Sequence, residues 1–387
     1  MTRWDIADVA VVGAGPAGAA AAIALARRNC KVVLVDNASE PRGWRAGETL
    51  LGDADGFLTA LGVADWLEGS KQLESAAIAS SWGSPDVAVT YAITNPHGGG
   101  WHIDRAAFER MLVDAAEAAG VQVWRATRAT ALERAGRSFE LAGESREVHR
   151  RARAAFVVDA SGTTRWAARR LGAVSTESPQ RQIGLAARLV PSPTAEPWPP
   201  ALLLEACETG WWYSVPVPDG HVIAVFVTDA DLLPRPLKAE AAWRAALADS
   251  EHTRKRLDGY SPVAFRMDVC GTSRLSAPVG PGWAAIGDAA MVFDPMSSRG
   301  ISKALAAGLE VAQALGEPPI GPDLVLAAYA QNCERQFAGY CRTLGSFYAS
   351  ETRWPESPFW QRRHRWTDSL TISSSQTPTA PEHHAHR

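Results

Sequence analysis

The sequence has no apolar run long enough to cross a bilayer, because Arg, Asp or Gly interrupts every one. That predicts no helical membrane span. Cysteine is sparse: Cys30, Cys207, Cys270, Cys333 and Cys341 are odd in number and lack the paired spacing of a metal site, so we expect reduced thiols, a cytoplasmic protein and no metal. Neither sign of charge dominates, with 39 Lys and Arg against 42 Asp and Glu, and a chain without a basic field is not expected to bind nucleic acid. The opening MTRWDIADV enters a strand at once and predicts no leader peptide. What is present is 387 residues, 46% hydrophobic, enough for two intertwined domains. The 15 tryptophans are an excess. Indoles in such number line aromatic pockets or partner surfaces, or fill a large core.

The chain is organised around Val9 to Gly18, VAVVGAGPAG, and the Asp36 that closes KVVLVD. An apolar strand runs into Gly13, Gly15 and Gly18, an Ala-rich helical segment follows, and a second apolar strand ends in an acid. This is a βαβ unit with the dinucleotide-binding fingerprint. Gly13 allows the tight turn, Gly15 lets the backbone approach a pyrophosphate, and Gly18 lets the helix lie close on the sheet. The helix amino terminus, at Pro16 and Ala17, supplies N–H groups and a positive dipole end. Asp36 can accept hydrogen bonds from a ribose diol; an acid there disfavours NADP and suits NAD or FAD.

Pro41 to Asp53 reads as a loop opening a helix that runs to about Ala60. In it Arg45 can neutralise phosphate and Glu48 can face a reactive ring, or Glu48 and Thr49 can cap the helix. Leu73 to Val89 reads as strands around a turn at Gly83 to Asp86. After the glycines at 98–100 comes an amphipathic helix, capped by Asp104 and stopped at Gly120. Arg105 lies in its first turn, against the dipole, where it is either solvated or met by an anion. AFVVDASG then carries a strand to Asp159 and Gly162, at the ligand-binding edge of a doubly wound sheet.

Ile183 to Arg274 alternates in β segments between turns and predicts an inserted antiparallel sheet, with Trp211 and Tyr213 on one face and Trp212 on the other. From Gly280 to Gly308 the chain returns to the nucleotide fold. A strand ends at Gly287-Asp288, a turn-rich loop follows, and Ile301 starts an Ala-rich helix whose amino end suits negative charge. Leu324 onward reads as helical, and 371–387 as a disordered tail to which His383, His384 and His386 belong.

Three segments, GAGPAG at Gly13 to Gly18, DASG at Asp159 to Gly162 and GDAAMVFDPMSSRGI at Gly287 to Ile301, resemble the fingerprints of FAD-dependent oxidoreductases of the glutathione-reductase type. Within that class the pattern is similar to the flavin-dependent halogenase and aromatic hydroxylase branch, over nearly the whole chain. The resemblance implies a Rossmann-type FAD-binding domain (1–75, 100–175 and 271–322) with an inserted antiparallel β-sheet substrate domain (76–99 and 176–270) and a helical C-terminal region (323–370). It also implies FAD, with Gly287 and Asp288 on the ribityl-pyrophosphate and Pro295, Ser298, Gly300 and Ile301 lining the isoalloxazine. Arg45 and Arg105 would lie near the flavin.

Tryptophan halogenases carry Trp-x-Trp-x-Ile-Pro, and here Tyr213 takes the second indole's place in the stretch from Trp211 to Pro216. The lysine that handles hypohalous acid is matched by Ser75, with Lys71 several residues away. GETLLGD, SSWGS, GWHIDR, DPMSSRGI and ETRWPESPFWQRRHR resemble instead the flavoproteins that mature tryptophylquinone enzymes. The implied activity is a monooxygenase that hydroxylates an indole through a flavin C4a-hydroperoxide, on a tryptophan of a partner protein or peptide. Trp82, Trp211 and Tyr213 would wall the pocket, and Glu48 or His102 would move protons. Molecular oxygen would be co-substrate. Electrons would come from NAD(P)H or from free flavin reduced by a separate reductase, since there is no second GxGxxG. The alternatives are a tryptophan halogenase, an isoprenoid-type flavin reductase and a non-catalytic flavin-holding partner protein.

Overall fold

The computed structural model describes residues 4–38, 43–146, 148–177, 181–236, 238–321 and 326–365. The predicted tail at 371–387 with its histidines, the boundary between 322 and 323, and the chain at 366–370 lie outside these residues.

The molecule is an α/β structure of two main sheets. Trp4–Val12 lies inside the first because its last four residues are apolar and buried on both faces, as in a parallel strand covered by helices. The order is Val279–Gly280, Trp283–Ala285, His149–Asp159, Trp4–Val12, Val32–Val35, Gln122–Trp124, with the hairpin of Arg128–Ala135 and Ser138–Glu144 on a branch. Val12 pairs with Val35 and with Asp159, and Asp159 with Ala285. These strands therefore end level, and the turns that follow them crowd one edge. The helices Pro16–Ala26 and Gly300–Leu315 meet in backbone contact; a Cβ on Gly308 would fall 2.6 Å from the Ala17 carbonyl oxygen.

The second sheet has seven strands in the order Tyr260–Val269, Gln182–Pro191, Val222–Asp229, Gly210–Pro216, Ala201–Cys207, Ala77–Ser81, Ala88–Tyr91. It is antiparallel except where Ala201–Cys207 joins Ala77–Ser81 in parallel. That pair is linked by a long crossover rather than a hairpin, so both strands can run the same way. Strand alternation sends Trp212 to one face, against Trp243 and Phe226, and Trp211 to the other. On that second face the C-terminal helix Ala327–Ser350 buries Tyr340, Leu344 and Tyr348.

The helix expected to open near Glu48 starts later. Thr49–Leu50 pairs with Trp101–His102 as a short strand, burying Leu50, and the helix spans Asp55–Ala60. Glu48 and Thr49 therefore cap no helix. The Arg105–Ala118 helix is capped as expected, with Asp104 accepting from the Ala107 N–H at 3.0 Å. Among the described residues no helix is long and apolar enough to cross a membrane.

Candidate active site

Three turns far apart in sequence converge at the carboxyl edge of the first sheet. Gly13 has φ +106°, and a Cβ on it would meet the Ala160 carbonyl oxygen at 2.4 Å. One on Gly18 would meet the Gly13 carbonyl oxygen at 1.8 Å, and one on Gly287 would meet the Ala17 Cβ at 2.8 Å. Gly15 differs. It precedes Pro16 at the helix start with φ −72°, and among the described residues no side chain caps the helix and a Cβ on it would meet no atom within 4 Å beyond its chain neighbours. Gly300, at the start of the later helix, is open in the same way. Tight glycines hold the turns against each other while open ones face outward, beside an uncapped positive helix end. This arrangement fits a dinucleotide phosphate.

The acids of these turns divide by role. Asp36 is buried and accepts from the Ala38 N–H at 3.0 Å. Asp159 is buried, and its two oxygens accept from the Ser161 and Ala168 N–H groups at 2.9 and 2.7 Å, which fixes the turn before Gly162. Asp288 is half exposed and paired with the buried Lys303 ammonium at 2.7 Å, a partner that sequence reading missed. After Pro295, Ser298 takes φ +49°, and Gly300 and Ile301 enter the helix.

Arg105 meets an anion on its own helix. Its Nε lies 3.0 Å from the buried Glu109 carboxylate and its Nη1 donates to the Gly47 carbonyl at 3.1 Å. Arg45 reaches the same carboxylate at 3.6 Å and is half exposed. In the same loop Glu48 is buried; one oxygen accepts from the Gly47 N–H at 2.8 Å and the other has no partner among the described residues. Burial pushes its carboxyl up from 4.5 to about 7, against the lowering by those backbone N–H groups and by the Arg105 and Arg188 charges. The partly exposed Tyr213 feels the Glu48 charge: burial first, and that charge second, push its phenol well up.

His102 faces away from Glu48. It pairs with Thr49, and adjacent residues of an extended segment face opposite ways, so His102 lies on the other side of the small sheet from Glu48. Its ring is buried, with Nδ1 at 3.4 Å from the Thr49 hydroxyl and Nε2 without a partner among the described residues. Burial, then the Arg256 charge, lowers it to about 4, so it is neutral at physiological pH. Ser75 is buried and Lys71 is exposed.

Trp82 and Trp211 pack edge to face at 6.5 Å, and Trp211 lies 6.0 Å from Tyr213. Behind them is a buried polar network. The Tyr348 hydroxyl donates to Asp294 at 2.7 Å and accepts from Trp211 Nε1 at 3.3 Å and Gln182 Nε2 at 3.4 Å. Asp294 directly precedes Pro295, so the network ties the turn-rich loop to the C-terminal helix. The signal in the sequence is faint: Tyr340, Leu344 and Tyr348 recur at helical spacing. Tyr348→Phe leaves buried donors unpaired, and we expect a loss of about 2 kcal/mol in chemical denaturation.

The FAD binding domain family matches residues 6–338. A protein of Marinomonas mediterranea named LodB and described as an FAD-dependent oxidoreductase is 27% identical over 366 residues, covering 93% of this chain and 97% of its own. A tryptophan 2-halogenase of Chondromyces crocatus is 24% identical, covering 94% and 72%. Among solved structures, the myxobacterial chondrochloren halogenase CndH superposes with a TM-score of 0.79 at 23% identity over 96% of this chain and 90% of its own. QhpG, a peptidyl tryptophan dihydroxylase of tryptophylquinone cofactor biogenesis, superposes with a TM-score of 0.74 at 24% identity over 92% and 78%.

Proposed function

This chain belongs to the FAD binding domain family and is a flavin-dependent oxidoreductase, and on that premise we propose that it is a monooxygenase acting on the indole of a tryptophan carried by a partner protein or peptide. The observation that carries the choice of oxygen over halogen is Ser75. It stands where the resemblance to halogenases calls for a lysine, and Lys71 is exposed and several residues away. QhpG, the dihydroxylase with the same fold, acts on a peptidyl tryptophan, which supports the substrate.

In the overall reaction one atom of molecular oxygen enters the ring and the other leaves as water, at the expense of two electrons from reduced nicotinamide or a separate flavin reductase. FAD, when bound, supplies the electron transfer to oxygen. The chain's own residues do the rest. The backbone N–H groups at the helix amino end, from Gly15 through Ala17 to Gly18, would hold the pyrophosphate, while Gly13, whose N–H goes to the Val35 carbonyl, and Pro16, which has none, shape the turn; Asp36 would hold the ribose, and Gly287 and Asp288 the ribityl chain. Arg45 and Arg105, through Glu109 and Gly47, position the loop that carries Glu48. The free Glu48 oxygen takes the proton that the ring loses once its new C–O bond forms, a task suited to a carboxyl that titrates near neutrality. Tyr213 orients the indole with the buried Trp211 packed behind it, and the C-terminal helix excludes water.

Mass spectrometry of a tryptophan peptide incubated with the reduced, aerated protein tests this. We expect added oxygen on the indole, at a rate indifferent to chloride and bromide. Halogenated product, which the relatives named halogenases make a definite second outcome, or peroxide as the sole product would reject the proposal.

A further inference from the structure

The last strand of the second sheet is exposed in a way that its composition does nothing to protect. All four residues of Ala88–Tyr91 are exposed, so the strand is covered on neither face, and among the described residues it has one neighbour only. From Val87 to Asn95 there is no charge and no proline, the devices by which edge strands ordinarily resist pairing. Val87, Val89 and Tyr91 alternate onto one face at 38%, 46% and 60% exposure, and Ile93 beyond them is 94% exposed. Such an apolar edge marks an interaction site or an aggregation hazard.

Beside this edge lies a cleft of about 490 Å³. Tyr91, Ile93 and Trp101 form its apolar wall, the glycine backbone at 98–100 and His97 line another side, and Asp55 and Glu74 are its acids, with no Lys or Arg in the lining among the described residues. Asp86 adds a third exposed acid at the start of the apolar run. Partial desolvation, and then the Asp53 charge, raise the Asp55 carboxyl above its ordinary value, a condition that an incoming cation offsets.

We propose that the open edge at Ala88–Tyr91 and the acidic cleft beside it dock an extended, basic segment of the partner polypeptide, which adds to the sheet as a further strand. The inference rests on the reading of a protein-borne substrate and names the surface that holds it. Main-chain hydrogen bonds to the edge supply affinity without regard to sequence. Alternate side chains of the guest lie over Val89 and Tyr91, and its Lys or Arg pairs with Asp55 or Glu74.

The test uses the full-length holoprotein and a fluorescein-labelled peptide, Lys-Val-Thr-Val-Thr-Trp-Lys, with binding read by anisotropy. Two control peptides replace both Lys by Glu, or the central Val by Pro, which removes a backbone donor. The basic peptide should bind, weakening with salt, and both controls should bind at least tenfold more weakly. V89K/I93K, which alters two exposed side chains, should weaken the basic peptide at least tenfold while FAD content is unchanged. Equal binding of the three peptides, no binding, or full binding by V89K/I93K overturns the proposal. So does a wild-type dimer that V89K/I93K converts to monomer, since the edge would then belong to a second copy. Binding is read without turnover, so the two readings fail separately. A bound peptide that gains no oxygen counts against the substrate reading alone, and oxidation of the tryptophan peptide at an unchanged rate by V89K/I93K counts against the docking surface alone.

Discussion

Gly15→Val will fold and will not hold FAD. The residue has a φ that any side chain adopts, and among the described residues no atom beyond its own chain neighbours lies within 4 Å of where its Cβ would be, so the apoprotein tolerates the change. A cofactor pyrophosphate drawn against the helix amino end does not, because the branched side chain takes the space the phosphate needs. We expect FAD affinity to fall at least about 100-fold, close to 3 kcal/mol, with the melting temperature of the apoprotein unchanged. Gly18→Ala gives the contrast: its Cβ would stand 1.8 Å from the Gly13 carbonyl oxygen, so it should damage the fold itself. Flavin titration and apoprotein melting curves separate the two. Normal FAD binding by Gly15→Val would remove this turn from the cofactor site.

Glu48→Gln should cost activity and increase stability above neutral pH. The amide cannot take a proton, so turnover should fall by about 10²–10⁴ with FAD retained. In the wild type, activity should rise with pH through about 7 as the carboxylate forms. Stability runs the other way. The folded-state value is raised from 4.5 to about 7, so the folded protein binds the proton more tightly than the unfolded chain. The stability this contributes is fully present below 4.5 and is lost as pH rises through 7. The loss is at most about 3 kcal/mol. Glu48→Gln is neutral at every pH, so its melting temperature should overtake that of the wild type between pH 5 and pH 8. A parallel pH dependence in both proteins would mean that Glu48 is not the titrating group.

The parts of the site that were legible in the sequence are those where one residue type answers one local demand. Gly13 and Gly18 are required by contacts of 2.4 and 1.8 Å, which no other residue permits, so the pattern announces itself. The alternation of Trp211 and Trp212 was equally readable, since a strand must send neighbours to opposite faces. The helix expected at Glu48 was not, because pairing of Thr49 with His102 overrode a capping pattern that favoured a helix. That pairing also divided two residues, Glu48 and His102, that sequence alone had put forward for the same task. The Asp294–Tyr348 contact and the Lys303–Asp288 pair join residues from separate elements or turns through side-chain geometry. Charge and spacing along the chain carry no information about such partners until the packing is known.

The parallel junction between Ala77–Ser81 and Ala201–Cys207 has a consequence for how the molecule comes into being. During synthesis the hairpin that ends at Tyr91 is made early, but the strand it must join is made only after the entire excursion through His149–Asp159. Closing so long a loop precedes any reward from the contact, which makes it a slow step. The apolar hairpin is therefore expected to wait unpaired until Ala201–Cys207 has been made, just as His149–Asp159 in the first sheet waits for Trp283–Ala285.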